Sequence, residues 1–150
     1  MMKNLFNPDD AKEIIDRIDR LTPQTQALWG KMNAAQMMAH CSILMRIARG
    51  LDKPKRRLLG VLLGPLVKKT FFGEKPYPKS SPTDPTFIVA DSRVFEEEKQ
   101  KLIEHIKTFS QGGPDACTNH PNPFFGKLTP DEWARGQYKH IDHHLQQFGV

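Results

Sequence analysis

The chain is poor in cysteine, has no long apolar run and shows no internal repeat. Only Cys41 and Cys117 occur among its 150 residues, and neither belongs to a C-x-x-C pair. That excludes a disulfide-stapled scaffold and a cysteine-rich zinc module, and leaves two free thiols as the expectation. The longest apolar stretch, Leu58 to Val67, is interrupted by Gly60, Gly64 and Pro65. It falls far short of the roughly 20 residues a membrane-crossing helix requires. The opening "MMKNLFNPDDAKEI" lacks the apolar centre of an export signal, so a cytoplasmic location is expected. No segment alternates apolar and polar residues as a half-buried strand does.

What is present describes a single folded domain over residues 1–150. Hydrophobic residues make up 38% and charged residues 26%, with no long polar tract, a composition that supports one ordinary core. Asn7 as N-cap, Pro8 at the first helical position and Asp9 and Asp10 in the first turn open a helix. Its buried stripe is Ala11, Ile14, Ile15, Ile18 and Leu21. "LTPQTQALWGKM" reads as a linker with room for a short helical turn. Asn33 and Gln36 form a capping-box variant that starts "AAQMMAHCSILMRIARG", which stops at Gly50.

A weaker third helix covers roughly 56–70 and is bent by Gly64 and Pro65. The prolines between Phe72 and Ala90 predict an extended crossover. A long helix is expected from Asp91 as N-cap to about Ser110, with Val94, Phe95, Leu102, Ile103, Ile106 and Phe109 inward and Gly112 and Gly113 ending it. After the aperiodic "GPDACTNHPNPFFGKL", Thr129, Pro130 and Glu132 supply cap, start and capping-box partner of a last helix reaching about Gln147. The sum is an all-α, four-helix bundle with long crossover connections.

The formal net charge of +5 is local in origin. Lys53, Lys55, Arg56, Arg57, Lys68, Lys69, Lys75 and Lys79 outweigh Asp52 and Glu74 in the middle of the chain. "KPKRRLLGVLLGPLVKK" thus brackets an apolar centre with positive ends. It suits a solvated rim or the mouth of a site for an anionic cosubstrate, and is compatible with docking on an anionic membrane. No nucleic-acid motif accompanies it, so nucleic acid is not an expected partner. Leu62, Leu63, Phe71 and Phe72 are expected at the surface and make a homodimer plausible.

Three of six histidines crowd the end of the last helix in "KHIDHHLQQFGV". With Trp133 as the zero direction, His140 lies at about −20° and His144 at about +20°, flanked by Gln137 and Phe148. His143 falls at about −80° and is second choice, while Arg135, Lys139 and Asp142 point outward. His140 and His144 are i,i+4 neighbours whose rings reach a common point. His40 sits amid Asn33, Gln36, Met37, Leu44 and Ile47 on the core face of the second helix. Three inward imidazoles must satisfy six ring nitrogens, and one divalent ion bound by His40, His140 and His144 would do so. Zinc suits this set best; nickel, iron, copper and manganese are also accepted by imidazole-containing sites. His105 reads as a border residue. His120 has two readings, as a lining residue of the site or as a loop histidine without a role.

"NAAQMMAHC" and "HPNPFFGKLTPDEWARGQYKHIDHHLQQFG" resemble the DinB-like superfamily, in a branch marked by an FG-LT-EW…HxxHH-QFG ending. The matches cover about a third of the chain. The resemblance implies a four-helix fold whose metal ligands fall on His40, His140 and His144. It also implies chemistry on low-molecular-weight thiols or metal-dependent hydrolysis. A metal-dependent S-transferase acting with a small thiol is the first expectation, because no inward carboxylate is visible as a base for water. Metal-dependent hydrolysis and a non-catalytic bundle with a structural metal are the alternatives. Gln36 and Tyr138 are candidate substrate or ligand-orienting residues, and Cys41 is either near the metal or a small buried hydrophobe.

Overall fold

The computed structural model describes residues 1–150 and is all-helical, with no strand. Its five α-helices are α1 (Pro8–Asp19), α2 (Ala34–Ala48), α3 (Leu58–Phe71), α4 (Phe95–Gly112) and α5 (Pro130–Gln147). α1 packs against α4 and α5, and α2 packs against the same two, so these four helices close a ring of contacts around the core. Leu5, Ile14, Ile18, Met37, Met38, Met45, Leu102, Ile106, Phe109, Ile141 and Leu145 fill it.

Local chemistry places most helix starts where the sequence expects them. The Asn7 side chain accepts from the Asp9 and Asp10 amides. Asn33 with Gln36 and Thr129 with Glu132 each complete a reciprocal capping box, satisfying amides that a helix N-terminus leaves unpaired. α4 departs from expectation. Asp91 is not its N-cap: the helix begins at Phe95 behind Val94, which offers no side-chain cap, and Val94 itself is exposed. Glu96, Glu97 and Glu98 in the first turn complement the dipole instead. The Asp91 carbonyl accepts from Gln36 at the start of α2. The linker between α1 and α2 contains a hydrogen-bonded turn from Thr22 to Thr25 but no helix.

α2 is buried on nearly every side, from Ala34 and Ala35 through Met38, Cys41 and Ser42 to Met45 and Ala48. That identifies it as the central helix. α3 is the opposite case. It touches the rest of the protein through Gly60 and Gly64, whose Cα atoms lie so close to the Phe124 backbone that a Cβ at either would stand 2.5 Å from the Phe124 carbonyl oxygen. Pro65 is accommodated inside the helix. Leu62 and Leu63 are exposed, as expected. Phe71 and Phe72 are not surface residues: Phe71 is half-buried and Phe72 is buried. The Phe72 ring fills the space that a side chain at Gly136 of α5 would need. Small residues therefore seat α3, and its large ones face out.

The crossover between α3 and α4 carries a turn at Lys79–Ser80 and one 3-10 turn, Pro85–Phe87, capped by Asp84. A second 3-10 turn, Gly113–Ala116, follows α4, and an isolated bridge between Asn122 and Gly126 tightens the loop before α5. The two connections bring Phe87 and the Phe124–Phe125 pair to the same side of the molecule, where they enclose a cavity.

Gly60→Ala is expected to drive a methyl group into the Phe124 backbone and unseat α3, accelerating amide exchange across 58–71. Overpacking of this kind costs about 1–3 kcal/mol. Leu62→Ser, on the exposed face, should change global stability by less than about 0.5 kcal/mol in urea denaturation.

Candidate metal centre

Three imidazoles from two helices meet where α2 crosses α5. One ring nitrogen from each of His40, His140 and His144 lies within 4.8 Å of the other two, an arrangement that could hold a metal ion. The ring centroids of His40 stand 5.0 Å from His140 and 4.9 Å from His144, and those of the α5 pair stand 4.7 Å apart. His40 and His144 are buried and His140 is partly exposed. The i,i+4 spacing on α5 and the central position of His40 on α2 are what bring them together.

Hydrogen bonds fix which nitrogens point inward. His40 Nδ1 lies 2.7 Å from the Phe87 carbonyl oxygen, so it carries the proton and donates. Its Nε2 is left as a lone pair, 3.1 Å from Nε2 of His140. His144 Nδ1 is 2.8 Å from Gln147 Oε1. Gln147 Nε2 in turn donates to the Trp29 carbonyl at 2.7 Å, which fixes the amide with its oxygen toward His144. His144 therefore also donates from Nδ1 and turns a lone pair from Nε2 away from that bond. Gly30, at φ +83°, leaves the close approach that Gln147 uses; a Cβ there would collide with its amide nitrogen. His140 Nδ1 is buried without a partner.

Burial is the first cause that pushes all three histidines below the ordinary imidazole pKa. His144 falls to about 4, with the neighbouring His40 adding to the effect of burial. His140 is pushed further down by burial and then by His144, His40 and His143 around it. His40 is lowered by burial against an opposing hydrogen bond to Phe87. All three are neutral at pH 7, the protonation state in which an imidazole ligates a metal. The 3.1 Å separation of the two Nε2 atoms is close to the ~3.4 Å between tetrahedral nitrogen ligands at roughly 2.1 Å from zinc. The donor set fits a divalent ion.

The triad opens onto a cavity of about 1260 Å³. Trp29, Leu44, Ile47, Leu59, Val67, Phe71, Phe72, Tyr77, Phe87, Phe124, Phe125, Leu128 and Trp133 make it largely apolar. Leu44 and Ile47 share the stripe of α2 that carries His40, so this stripe faces the cavity and not solid core. Besides His140 Nδ1, three polar atoms on residues of its wall are buried without partners: Tyr77 Oη, Trp133 Nε1 and Gln137 Oε1. Asp84 is the one carboxylate among the lining residues, and it is bound by Arg57 and Thr86.

His143 also lines the cavity, half-buried, with its ring 5.9 Å from Trp29 and 5.7 Å from Tyr77. Burial lowers its pKa against the opposing charge of Asp142. Asp142 itself turns away to Arg17 at 2.7 Å. Lys139 turns to the end of α3, donating to the Phe71 and Gly73 carbonyls.

Other candidates lie elsewhere. Gln36 is spent on the capping box and on the Asp91 carbonyl. Tyr138 reaches Glu13 on the α1 side. Neither lines the cavity. Cys41 is fully buried beside Met37 Sδ, its thiol pushed far up by desolvation, which makes it a packing residue. His105 bonds Arg49, and His120 Nε2 donates to the Pro54 carbonyl, tying down the basic segment outside the cavity. Gln147 and the Phe87 carbonyl are the contributors that sequence reasoning missed. Gln147 sits three residues after His144, a spacing that signals contact on a helix; a backbone carbonyl 47 positions from His40 carries no sequence signal.

The depressed imidazole pKa values give a pH dependence to the metal-free protein. Unfolding restores the ordinary value of 6.5, so between pH 6.5 and about 4 the unfolded chain binds more protons at position 144 than the folded one. Stability is therefore full above pH 6.5 and falls as pH drops toward 4. His144 alone accounts for roughly 3 kcal/mol over that window. Urea denaturation in the presence of a chelator, compared between wild type and His144→Gln, measures it; the variant should show the smaller loss.

Comparison with curated proteins and with solved structures returns no significant match. Residues 3–149 match a family described as "Protein of unknown function (DUF1569)". With nearly its whole length covered, the chain belongs to that family.

Proposed function

We propose that the protein is a metal-dependent enzyme in which His40, His140 and His144 hold one divalent ion, zinc by the character of the donors, in the wall of the apolar cavity. The two fixed tautomers carry this reading, since His40 and His144 each donate from Nδ1 and are thereby obliged to present Nε2 as a lone pair. The closed ring of α1, α2, α4 and α5 is then a DinB-like four-helix bundle. Three neutral imidazoles would leave a bound divalent ion its double charge, and it would supply Lewis acidity able to bring the ionisation of a thiol or of water toward neutral pH.

The chain's own groups do the rest. The Phe87 carbonyl and Gln147 orient two ligand rings, as acceptors behind a metal-binding histidine do. Aromatic side chains make the wall apolar. Tyr77, Trp133 and Gln137 belong to the same wall, and each carries a polar atom buried without a partner, which costs roughly 1–3 kcal/mol while it stays unpaired.

Thiol-dependent S-transfer is the favoured reaction. Asp84 is held by Arg57 and Thr86, so no carboxylate of the wall is free to act as a base, and a thiol, far more acidic than water, gives up its proton to solvent with less assistance. The cavity of about 1260 Å³ exceeds the roughly 300–1,000 Å³ of a single-ligand pocket. It has room for a small thiol and an apolar electrophile together. One observation favours metal-dependent hydrolysis as the second reading: His143 is neutral and stands in the wall beside the triad, where it could take a proton from water.

Protein purified without an affinity tag is expected to carry one metal equivalent, lost in His40→Ala and His144→Ala; equal metal in wild type and variants overturns the site. Gln147→Leu should weaken metal affinity by about 10–100-fold while leaving the three ligands in place. With metal-loaded protein, turnover of an aromatic chloride only in the presence of an added thiol supports S-transfer. Ester hydrolysis that is independent of thiol and is lost in His143→Gln supports the second reading instead.

A further inference from the structure

The structure carries a second feature that does not depend on the metal site. α3 is held to the protein by its glycine face, and this orientation fixes what it shows to solvent. Gly60, Gly64 and Phe71 lie on the inner side, as helical spacing requires of positions four and seven apart. Leu58, Leu62 and Leu66 fall on the opposite side, one turn after another, and are 76%, 65% and 77% exposed. Leu63 adjoins them at 41%. α3 cannot bury these leucines without giving up its glycine contacts. The result is a contiguous leucine face aimed outward, which monomeric surfaces rarely carry without a use.

The surroundings of that face are basic. Lys53, Lys55 and Arg56 precede it and Lys69 and Lys75 follow it; all five are exposed and none is in an ion pair. Of the acidic groups nearby, Asp52 is taken by Arg46, Asp84 by Arg57 and Glu132 by Lys68, which leaves Glu74 as one unpaired acid against these five cations. Positive charge therefore stands in excess at both ends of an apolar stripe.

We propose that this face docks the protein onto an anionic lipid surface, with the leucines of α3 in the hydrocarbon boundary and the flanking lysines and Arg56 on lipid phosphates. The charge arrangement selects this occupant. A second copy packed on the same stripe, parallel or antiparallel, would set basic ends against basic ends. A nucleic acid would meet leucines at the centre of its footprint. A lipid surface satisfies both components at once, since acyl chains take the apolar stripe and phosphates take the cations. α3 lies in the plane of the surface and does not cross it: its 14 residues span about 21 Å, and no helix is long and apolar enough to cross a membrane.

Sedimentation with vesicles made of equal parts phosphatidylcholine and phosphatidylglycerol tests the proposal, with pure phosphatidylcholine vesicles as the comparison. Wild type should bind the anionic vesicles at least about tenfold more strongly, and added salt should weaken that binding. The double variant Leu62→Ser, Leu66→Ser should lose about tenfold or more in partitioning, with its circular dichroism and thermal transition unchanged because both positions are exposed. Lys55→Gln with Lys69→Gln should reduce binding to anionic vesicles and leave the phosphatidylcholine baseline unaltered. Absence of binding to anionic vesicles at low salt overturns the proposal. So does equal binding by the leucine variant, or a dimer in sedimentation equilibrium that the leucine variant abolishes while vesicle binding stays absent.

Discussion

The crossing of α2 and α5 is the constraint on which the rest depends. Imidazoles are expensive to bury, and this crossing buries His40 and His144 and partly buries His140 at one point, with each ring's desolvation adding to the repulsion its neighbours would feel if protonated. The arrangement holds because the rings are kept neutral and two of them are tied from behind. The Phe87 carbonyl anchors one and Gln147 the other, and Gln147 is itself anchored to the Trp29 carbonyl. Two connecting segments, before α2 and before α4, and the last residue of α5 thus converge on a centre that belongs to none of them alone.

The long connections explain the cavity. A bundle whose helices are joined by short turns buries its central polar residues in solid packing. Here the crossover from Phe72 to Ala90 and the loop around Phe124 touch the helices at a few points and wall off a space lined by aromatic rings. α3 completes that wall with Leu59 and Val67, and it is seated there by the absence of side chains at Gly60 and Gly64. The same helix therefore works on two surfaces. Its inner side closes the cavity and its outer side presents leucine between basic flanks.

Helix existence was legible wherever the chain carries both a cap and a stripe. Asn7, Asn33 with Gln36, and Thr129 with Glu132 each announce a helix start, because the groups that satisfy the first amides are local in sequence. α4 was misjudged at its start because Asp91 had competing uses: its carboxylate pairs with Arg93 and its carbonyl serves α2. Phe71 and Phe72 were misjudged as surface residues because the ring that covers Gly136 is paired with a helix 64 positions later.

The histidine constellation divides along the same line. The i,i+4 relation of His140 and His144, and the inward direction of His40, are consequences of 3.6-residue periodicity and are written in the order of the residues. That these two faces meet, that the Phe87 carbonyl and Gln147 set the tautomers, that His143 stands in the cavity wall, and that Gln36 and Tyr138 stay out of it were decided by tertiary packing alone. Periodicity fixes the direction a side chain takes from its own helix axis. Which atoms it meets there depends on long loops whose paths no local rule prescribes.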